Sequence, residues 1–280
     1  MTDEIKKNLG GGLAELPLDY RDYSFGATFA PINLNELAGK DFTIGERRIS
    51  DQGVSDYCVG YSTCKAGEFH EDTDLTPEWT FAKIKQLTGD YHGWGADLRT
   101  GMKAGLQYGF LPKKHAPLSR ETNGDIVRNW EQWSGFLDAY ARDHKQQSYF
   151  SVDKNGYPSL FDALRAAIYG NLDKKHAIVT GALWRNEWTY ADGGIIPKEY
   201  ESNGFAHAFL LIGQKIINSE PYLVAQLSNG TDIGDNGKFY FPAVVINKEL
   251  NYGNYMFVDM LKEEAKYLNE NKLMNNWWGR

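Results

Sequence analysis

The spacing of apolar and polar residues changes midway along the chain. Through the first half, apolar residues recur at intervals of three and four, which is typical of helices that bury one face. Thr76-Pro77 is a typical helix start, and Gly89 is a natural helix end. Helices are predicted from Ser55 or Asp56 to about residue 67, and over about residues 76–89, 98–109, 125–145 and 158–170.

The second half of the chain has a different period. Short runs rich in β-branched and aromatic residues are separated by turns rich in Gly, Asn and Asp. These runs predict strands over residues 176–184, 205–217, 222–228, 238–246 and 255–260. Helices followed by strands favour an α+β protein with two lobes, and a cleft between lobes is a common place for an active site.

The same pattern suggests how the chain is divided. Residues 1–15 are predicted to be a flexible leader with Gly10-Gly11-Gly12 as its joint, followed by a single domain over residues 16–260. Within it, a helical lobe is expected over about 50–150 and a β lobe over about 171–260. Residues 261–280 are predicted to form a C-terminal helix and tail. Trp277 and Trp278 in that tail are suited to a groove on a protein partner.

Composition and charge exclude several function classes. The 280 residues are 42% hydrophobic and carry a net charge of −7 without a long basic run, so nucleic acid is not expected as a ligand. No apolar run approaches the roughly 18 residues that span a bilayer, and the N-terminus lacks the apolar stretch of a secretory signal.

Cysteine usage indicates a reducing compartment. Cys58 and Cys64 lie in one predicted helix and are wrongly directed to form a disulfide with each other. A cytoplasmic protein is therefore expected, or one packaged in a virion if a phage encodes it. No cofactor is expected, because no Gly-rich phosphate loop follows a strand. No metal is expected either, because no group of His, Cys, Asp and Glu has the sequence spacing of a ligand set.

The segment around Cys58 contains the first candidate chemistry. Cys58 falls in the first turn of a predicted helix, where unpaired N–H groups and the helix dipole favour thiolate, the nucleophilic form. Gln52, six residues earlier, can direct its side-chain amide toward the same point. With the backbone N–H of Cys58 it would form a two-donor oxyanion hole. Cys64 is expected to be a buried core residue.

His207 is the proton partner that the sequence favours. The chain has six histidines, and His207 begins an apolar strand in the β-rich half, across the predicted cleft from Cys58. An imidazole there would stabilise the thiolate and later protonate the leaving amine. The other five histidines are expected in loops or on the surface, with His176 the least certain of them.

Several segments, taken in order, resemble papain-like cysteine peptidases. Gln52-Gly53 followed by Cys58-Val59 resembles the nucleophile segment, more closely in the bacterial and viral branch without disulfides than in the lysosomal enzymes. Weaker matches are the stretches 16–21, 75–77, 95–109, 204–213 and 230–237. The resemblance implies a papain-like fold, with a helical N-terminal lobe, an antiparallel β-barrel-like C-terminal lobe and an active-site cleft between them.

The resemblance also implies an orienting residue and a substrate loop. In the family an Asn holds the catalytic His, but the position that matches without a gap here is Leu227. Asn229 is two residues on, shares a strand face with Leu227, and is the candidate for that role. Gly93-Trp94-Gly95 lies where the family binds the substrate backbone. About 15 residues precede the mature-like start, too few for a folded inhibitory prosegment.

Three hypotheses for function remain open on the sequence. The first is a cysteine peptidase or related amide hydrolase acting on a peptide or protein through Cys58, His207, Gln52 and Asn229. The second is a weak or inactive member of the fold that serves as a binding or structural component, possibly of a virion. The third is an acyl transferase or a peptidoglycan hydrolase that uses the same pair, Cys58 and His207.

Overall fold

A computed structural model describes residues 11–15, 19, 22–29, 31–116, 136–201 and 203–259. The predicted C-terminal helix and the tail with Trp277 and Trp278 lie outside these residues, as do residues 1–10 and 125–135. None of the helices in the described ranges has the length and apolar character to cross a membrane. The boundaries assigned to the two lobes remain a prediction.

The helices lie mainly in the first half of the chain, as the spacing predicts. They are α1 (Phe25–Thr28), α2 (Cys58–Glu71), α3 (Pro77–Thr88), α4 (Leu98–Gln107), α5 (Phe136–Arg142), α6 (Leu160–Tyr169) and α7 (Ala243–Glu249). The boundaries predicted for α3 are confirmed: Pro77 is its first residue, and Gly89 caps it in the left-handed conformation with φ 70°.

Helix α2 begins later and ends later than predicted. Its N-cap is Tyr57, which makes no side-chain capping bond, so the prediction that Ser55 or Asp56 caps the helix is wrong. Every residue of α2 from Cys58 to Phe69 is buried, including Lys65 and Glu68, which pair with each other. Burial on all faces explains why apolar periodicity locates its ends poorly.

One antiparallel sheet contains the strands of the second half. They are β1 (Phe42–Thr43), β2 (Ser148–Ser151), β3 (Ile178–Arg185), β4 (Gly204–Ile217), β5 (Glu220–Gln226), β6 (Lys238–Pro242) and β7 (Asn254–Val258). Their order is β2-β7-β3-β4-β5-β6, with β1 paired to β4. The path ends at β2 on one side and at β6 on the other. The sheet is therefore open, and the expected barrel-like closure is wrong for the described strands.

The strand predicted over residues 238–246 is divided between two elements. β6 ends at Pro242, which becomes the N-cap of α7, and Val245 and Ile246 are buried on that helix. Proline has no N–H to donate to a further rung of the ladder, so the strand ends there. The other four predicted strands are confirmed as β3, β4, β5 and β7 with small shifts at their ends.

Contact between α2 and the sheet determines where the candidate residues lie. α2 packs against α3, α4 and β4. Along β4, His207 is paired with Ala182 and Ala208 with Gly181 of β3. The first turn of α2, which contains Cys58, therefore faces the start of β4, which contains His207. The helical first half and the strand-rich second half of the chain meet at this point.

Candidate active site

Two loops that contain candidate residues are paired through their backbones. Asp51 and Asn229 form an antiparallel bridge. On either side of it, Gln52 N–H donates to the carbonyl of Ser228 at 2.7 Å, and Gly230 N–H donates to the carbonyl of Ser50 at 2.9 Å. Gln52 and Asn229 are 177 positions apart in the sequence, and this short ladder holds them in one place.

The side chain of His207 is hydrogen-bonded to Asn229. The distance from His207 Nε2 to Asn229 Oδ1 is 2.9 Å, and both residues are fully buried. An amide oxygen only accepts, so Nε2 carries the proton, and a neutral ring then has its lone pair on Nδ1. Leu227, which an ungapped comparison selects for this role, is a buried core residue whose N–H donates to Gly237.

Aromatic rings enclose the His207–Asn229 pair. Trp184 meets the imidazole edge-on at 6.0 Å between centroids, and Phe205 does so at 5.9 Å. Trp184 is itself fixed by a 3.0 Å bond from its Nε1 to Thr189 Oγ1. These rings keep water from the hydrogen bond, so it is stronger than it would be in solvent. Sequence reasoning missed Trp184, and its place in a predicted strand next to the His207 strand was the only available signal.

The thiol of Cys58 lies against the same part of β4. Its sulfur is within hydrogen-bonding reach of the backbone N–H of Ala208, the residue after His207. Burial raises the pKa of Cys58 to about 12, and the negative Asp56 adds to the rise. The N–H groups of Ala208 and Val59 lower it, but by less. The expected depression of this pKa by the helix terminus is therefore outweighed by burial of the sulfur in this structure.

Gln52 is buried and held by hydrogen bonds at both ends of its amide. Its Oε1 accepts from Ser228 Oγ at 2.6 Å, and its Nε2 donates to the carbonyl of Ser55 at 2.9 Å. A carbonyl oxygen cannot donate and a carboxamide nitrogen cannot accept, so these two bonds fix which way the amide faces. Sequence reasoning missed Ser228, because nothing local indicates that it reaches Gln52.

A buried lysine organises the predicted substrate loop. Lys85 Nζ donates to the carbonyls of Gly93 at 2.8 Å and Gly95 at 2.5 Å. Asp56 Oδ2 accepts from Gly95 N–H at 2.6 Å, which ties the loop to the segment before Cys58. Trp94 is 67% exposed. Its predicted role as a pocket wall stays a prediction, as does the substrate-binding role of the two glycines.

Part of the N-terminal leader lies along this loop. Leu13 forms a parallel bridge with Ala96, in which Ala96 N–H donates to Gly12 and Ala14 N–H donates to Ala96, both at 2.8 Å. On the other side, the N–H groups of Gly12 and Leu13 donate to the carbonyl of Ala206 at 3.3 and 3.4 Å. The leader thus bridges the substrate loop and the residue before His207. Over these residues the leader makes backbone hydrogen bonds on both sides, and its predicted flexibility stays a prediction.

Small residues make room for the leader. A Cβ added to Gly95, where φ is +63°, would lie 1.9 Å from the Gly12 carbonyl oxygen. A Cβ added to Gly181 on β3 would lie 2.2 Å from the Leu13 side chain, which is 7% exposed. Leu13 therefore packs into the hollow over Gly181 as part of the hydrophobic core, and the leader lies in the groove between Ala96 and Ala206.

Side chains that could bind a metal converge elsewhere. His70, His176 and Asp259 place one ligand atom each within 4.8 Å of one another. They come from the C-terminal part of α2, the start of β3 and the end of β7. The prediction from the sequence that no metal binds stays a prediction, and this group is a candidate that it did not consider. It considered spacing along the sequence, and these three residues meet only in the folded chain.

Solved structures similar to this one are cysteine proteases. Xylellain, a cysteine protease from Xylella fastidiosa, matches with a TM-score of 0.73 at 18% sequence identity, over 91% of this chain and 98% of its own. The chain has the papain-like fold. This confirms the fold that the sequence motifs imply.

Two further papain-like structures match with lower TM-scores. Digestive procathepsin L 3 of the Tenebrio molitor larval midgut has a TM-score of 0.57 at 15% identity, over 89% of this chain and 76% of its own. Procathepsin B S9 from Trypanosoma congolense has a TM-score of 0.57 at 14% identity, over 90% and 86%. No family model and no curated protein matches the sequence. Similarity at this level establishes the papain-like fold, and the chemistry must be argued from the side chains.

Proposed function

We propose that this papain-like protein is a cysteine peptidase with Cys58 as nucleophile and His207 as its proton partner. The hydrogen bond between His207 and Asn229 is the observation that supports this most strongly. It leaves His207 Nδ1 as the basic nitrogen. The thiol of Cys58 lies beside the next residue of the same strand, so a sulfur and a base belong to one small region of the groove.

The acylation step follows from these positions. The thiol proton passes to His207 Nδ1 as the sulfur attacks the amide carbonyl and a C–S bond forms. The carbonyl π electrons move to its oxygen, which Gln52 Nε2 and the backbone N–H of Cys58 stabilise as donors. When the tetrahedral species collapses, the C–N bond breaks. The imidazolium gives its proton to the leaving amine, which leaves a thioester.

Hydrolysis of the thioester uses the same groups in reverse. His207 Nδ1 removes a proton from water as its oxygen attacks the acyl carbon, and the C–S bond then breaks to release a carboxylic acid and regenerate the thiol. Asn229 contacts neither substrate nor water in this scheme. Its Oδ1 keeps the ring oriented and stabilises the imidazolium through the Nε2–H bond.

The position of the leader supports two further parts of the proposal. One is how the activity is regulated, and the other is which class of substrate is accepted. Gly12 and Leu13 lie where an extended peptide would pair with Ala96 and Ala206, so the chain is held closed until this segment leaves. Leu13 enters the hollow over Gly181 as a member of the hydrophobic core, so the hollow accepts an apolar side chain. We therefore assign substrates that are extended peptides with a Leu-like side chain at the position that enters this hollow.

The test measures peptide hydrolysis by the full chain, with and without Leu13→Ala. Cleavage of a fluorogenic peptide library should be lost in Cys58→Ala and kept in Cys64→Ala, a matched change in the buried core of α2. Cleavage that survives Cys58→Ala would sink the proposal. If the folded chain cleaves no peptide, the result supports an inactive member of the fold, and selective activity on muropeptides or acyl acceptors supports the third hypothesis.

A further inference from the structure

A second polar cluster lies at the far end of α2 from Cys58. His70 Nε2 is 3.0 Å from Asp259 Oδ2, and His176 Nε2 is 3.7 Å from the same carboxylate. The two imidazole rings meet edge-on at 4.8 Å between centroids. Twelve positions of helix separate Cys58 from His70, roughly 18 Å at 1.5 Å per residue. The cluster is therefore separate from the proposed catalytic groups.

A hydrogen-bond chain determines the protonation of His70. Glu71 Oε1 accepts from Gln146 Nε2 at 2.7 Å, which turns Gln146 Oε1 toward His70 Nδ1 at 2.8 Å. His144 pairs with the other oxygen of Glu71. Because Gln146 Oε1 only accepts, His70 Nδ1 must carry a proton and donate it. In a neutral ring, the lone pair of Nε2 then faces Asp259.

That arrangement requires a positive charge between His70 and Asp259. A nitrogen lone pair and a carboxylate oxygen 3.0 Å apart repel unless a proton or a metal ion lies between them. A proton would make His70 a charged imidazolium in a simple ion pair. A metal ion would be bound by the lone pair and the carboxylate together, and would leave His70 neutral.

The state of His176 favours the metal. Its side chain is fully buried, and among the described residues neither ring nitrogen has a hydrogen-bond partner. Leaving a buried polar group unsatisfied is costly, and such a group calls for a missing ligand. A proton between His70 and Asp259 gives His176 no partner. An ion near the Asp259 carboxylate, by contrast, would give His176 Nε2 a bond as well.

Two of the three distances suit a small transition ion. Zinc bonds of about 2.0–2.2 Å place tetrahedral ligand atoms roughly 3.3 Å apart, and the separations of 3.0 and 3.7 Å from Asp259 to the two imidazoles lie on either side of that value. The three ligand atoms lie within 4.8 Å of one another, so the two imidazoles move closer together when they bind one ion. Two imidazoles with one carboxylate favour zinc and its neighbours over calcium or magnesium, which prefer oxygen ligands. The Asp259 side chain is 37% exposed, which gives the ion a path from solvent and a place for a water ligand.

We propose that His70, His176 and Asp259 bind one Zn²⁺ ion, with Gln146 and Glu71 orienting His70 from behind. The ion joins the C-terminal part of α2 to the residues that flank β3 and β7, and its binding energy adds to the stability of the folded chain. Gln146 acts through His70, as outer residues of metal sites do, so its loss weakens binding without removing a ligand.

The test uses the full chain with Cys58→Ala, so that zinc cannot bind the Cys58–His207 pair. After chelator treatment and dialysis, Zn²⁺ binding is measured by competition with a chromogenic chelator, and melting temperature is followed with and without Zn²⁺. One ion per chain and a higher melting temperature are expected. Asp259→Asn should lower affinity by at least tenfold, whereas Asp143→Asn, a matched change at an exposed site, should not alter it.

Two further measurements make the outcome decisive. Gln146→Ala should weaken Zn²⁺ binding by about 10- to 100-fold, and each variant is first checked for a native circular dichroism spectrum without zinc. A Cys58→Ala chain that binds no zinc would mean that a proton fills the gap between His70 and Asp259, and the proposal would be overturned. Equal affinity in the Asp259→Asn and Asp143→Asn chains would also overturn it.

Discussion

The leader in the groove gives the sharpest prediction, the effect of replacing Leu13 by Ala in the full chain. Leu13 is 7% exposed and fills the hollow over Gly181, while its backbone pairs with Ala96. The substitution leaves every backbone hydrogen bond of the leader available and removes only the side chain that fills the hollow. It therefore weakens docking of the leader without altering any group assigned to catalysis.

The size of the effect follows from the buried carbon atoms. Leu→Ala removes three carbon groups, each worth about 0.8 kcal/mol when buried, so docking weakens by about 2.4 kcal/mol. At 1.36 kcal/mol per factor of ten, the open population rises roughly 60-fold. As long as most chains remain closed, the rate of peptide cleavage should rise by the same factor.

The assay compares initial rates of cleavage of one fluorogenic peptide by wild-type, Leu13→Ala and Ala14→Ser chains. Ala14 is exposed and belongs to the same leader, so its substitution should leave the rate within twofold of wild type. A peptide of the leader sequence around Leu13, added at rising concentration, should inhibit the Leu13→Ala chain. If both chains cleave the peptide and their rates are equal, the proposal that the leader blocks the groove is refuted.

Three further predictions concern the proposed catalytic groups, the first two in the Leu13→Ala background. Asn229→Ala removes a buried hydrogen bond worth about 1–3 kcal/mol, so kcat should fall by roughly 5- to 150-fold; an unchanged kcat would mean that the His207 ring needs no such partner. Gln52→Ala removes an oxyanion donor and should lower kcat by about 10²–10³ with little change in KM, and a change confined to KM would contradict this. In the closed wild-type chain the pKa of Cys58 is raised to about 12, so its alkylation by iodoacetamide should still be rising with pH at about pH 10. In the Leu13→Ala chain the rise should shift to lower pH, and identical profiles for the two chains would exclude any influence of the leader on the thiol.

Much of the fold was predictable because its signals are local. Pro77 at the first helical position and Gly89 after the last turn mark the two ends of α3, and each signal lies at the end that it marks. The runs that form β3, β4, β5 and β7 are likewise bounded by nearby turn residues. Errors occur where tertiary contacts override the local signal, as at the N-terminus of the fully buried α2 and beyond Pro242.

The candidate site was predictable only in part, for a related reason. Cys58, Gln52 and His207 are recognisable from the residues around them. Ser228, by contrast, matters only because it donates to Gln52, 176 positions away, and no single-sequence pattern reports such a contact. The metal-ligating group is a further case, since its members share no sequence spacing and are joined only by the packing of α2 against the sheet.

Asn229 shows how the backbone resolves an ambiguity that counting residues leaves open. Counting from the Gly-rich turn places Leu227 at the orienting position, but Leu227 donates its N–H to Gly237 and lies in the core. The hydrogen bond between His207 Nε2 and Asn229 Oδ1 favours Asn229 for the proposed role, and the bridge to Asp51 ties Asn229 to the loop of Gln52.

The raised pKa of Cys58 results from burial of its sulfur in the folded protein rather than from the local sequence. Three backbone N–H groups, those of Ala208, Val59 and Cys58 itself, favour thiolate, and they act whether or not the groove is filled. Burial of the sulfur outweighs them. The leader contacts the carbonyls of Ala206 and Asp56, which lie one residue before His207 and two residues before Cys58. The proposal that the leader closes the groove therefore predicts that the pKa of Cys58 falls when the leader departs, and the alkylation profiles of the wild-type and Leu13→Ala chains test this directly.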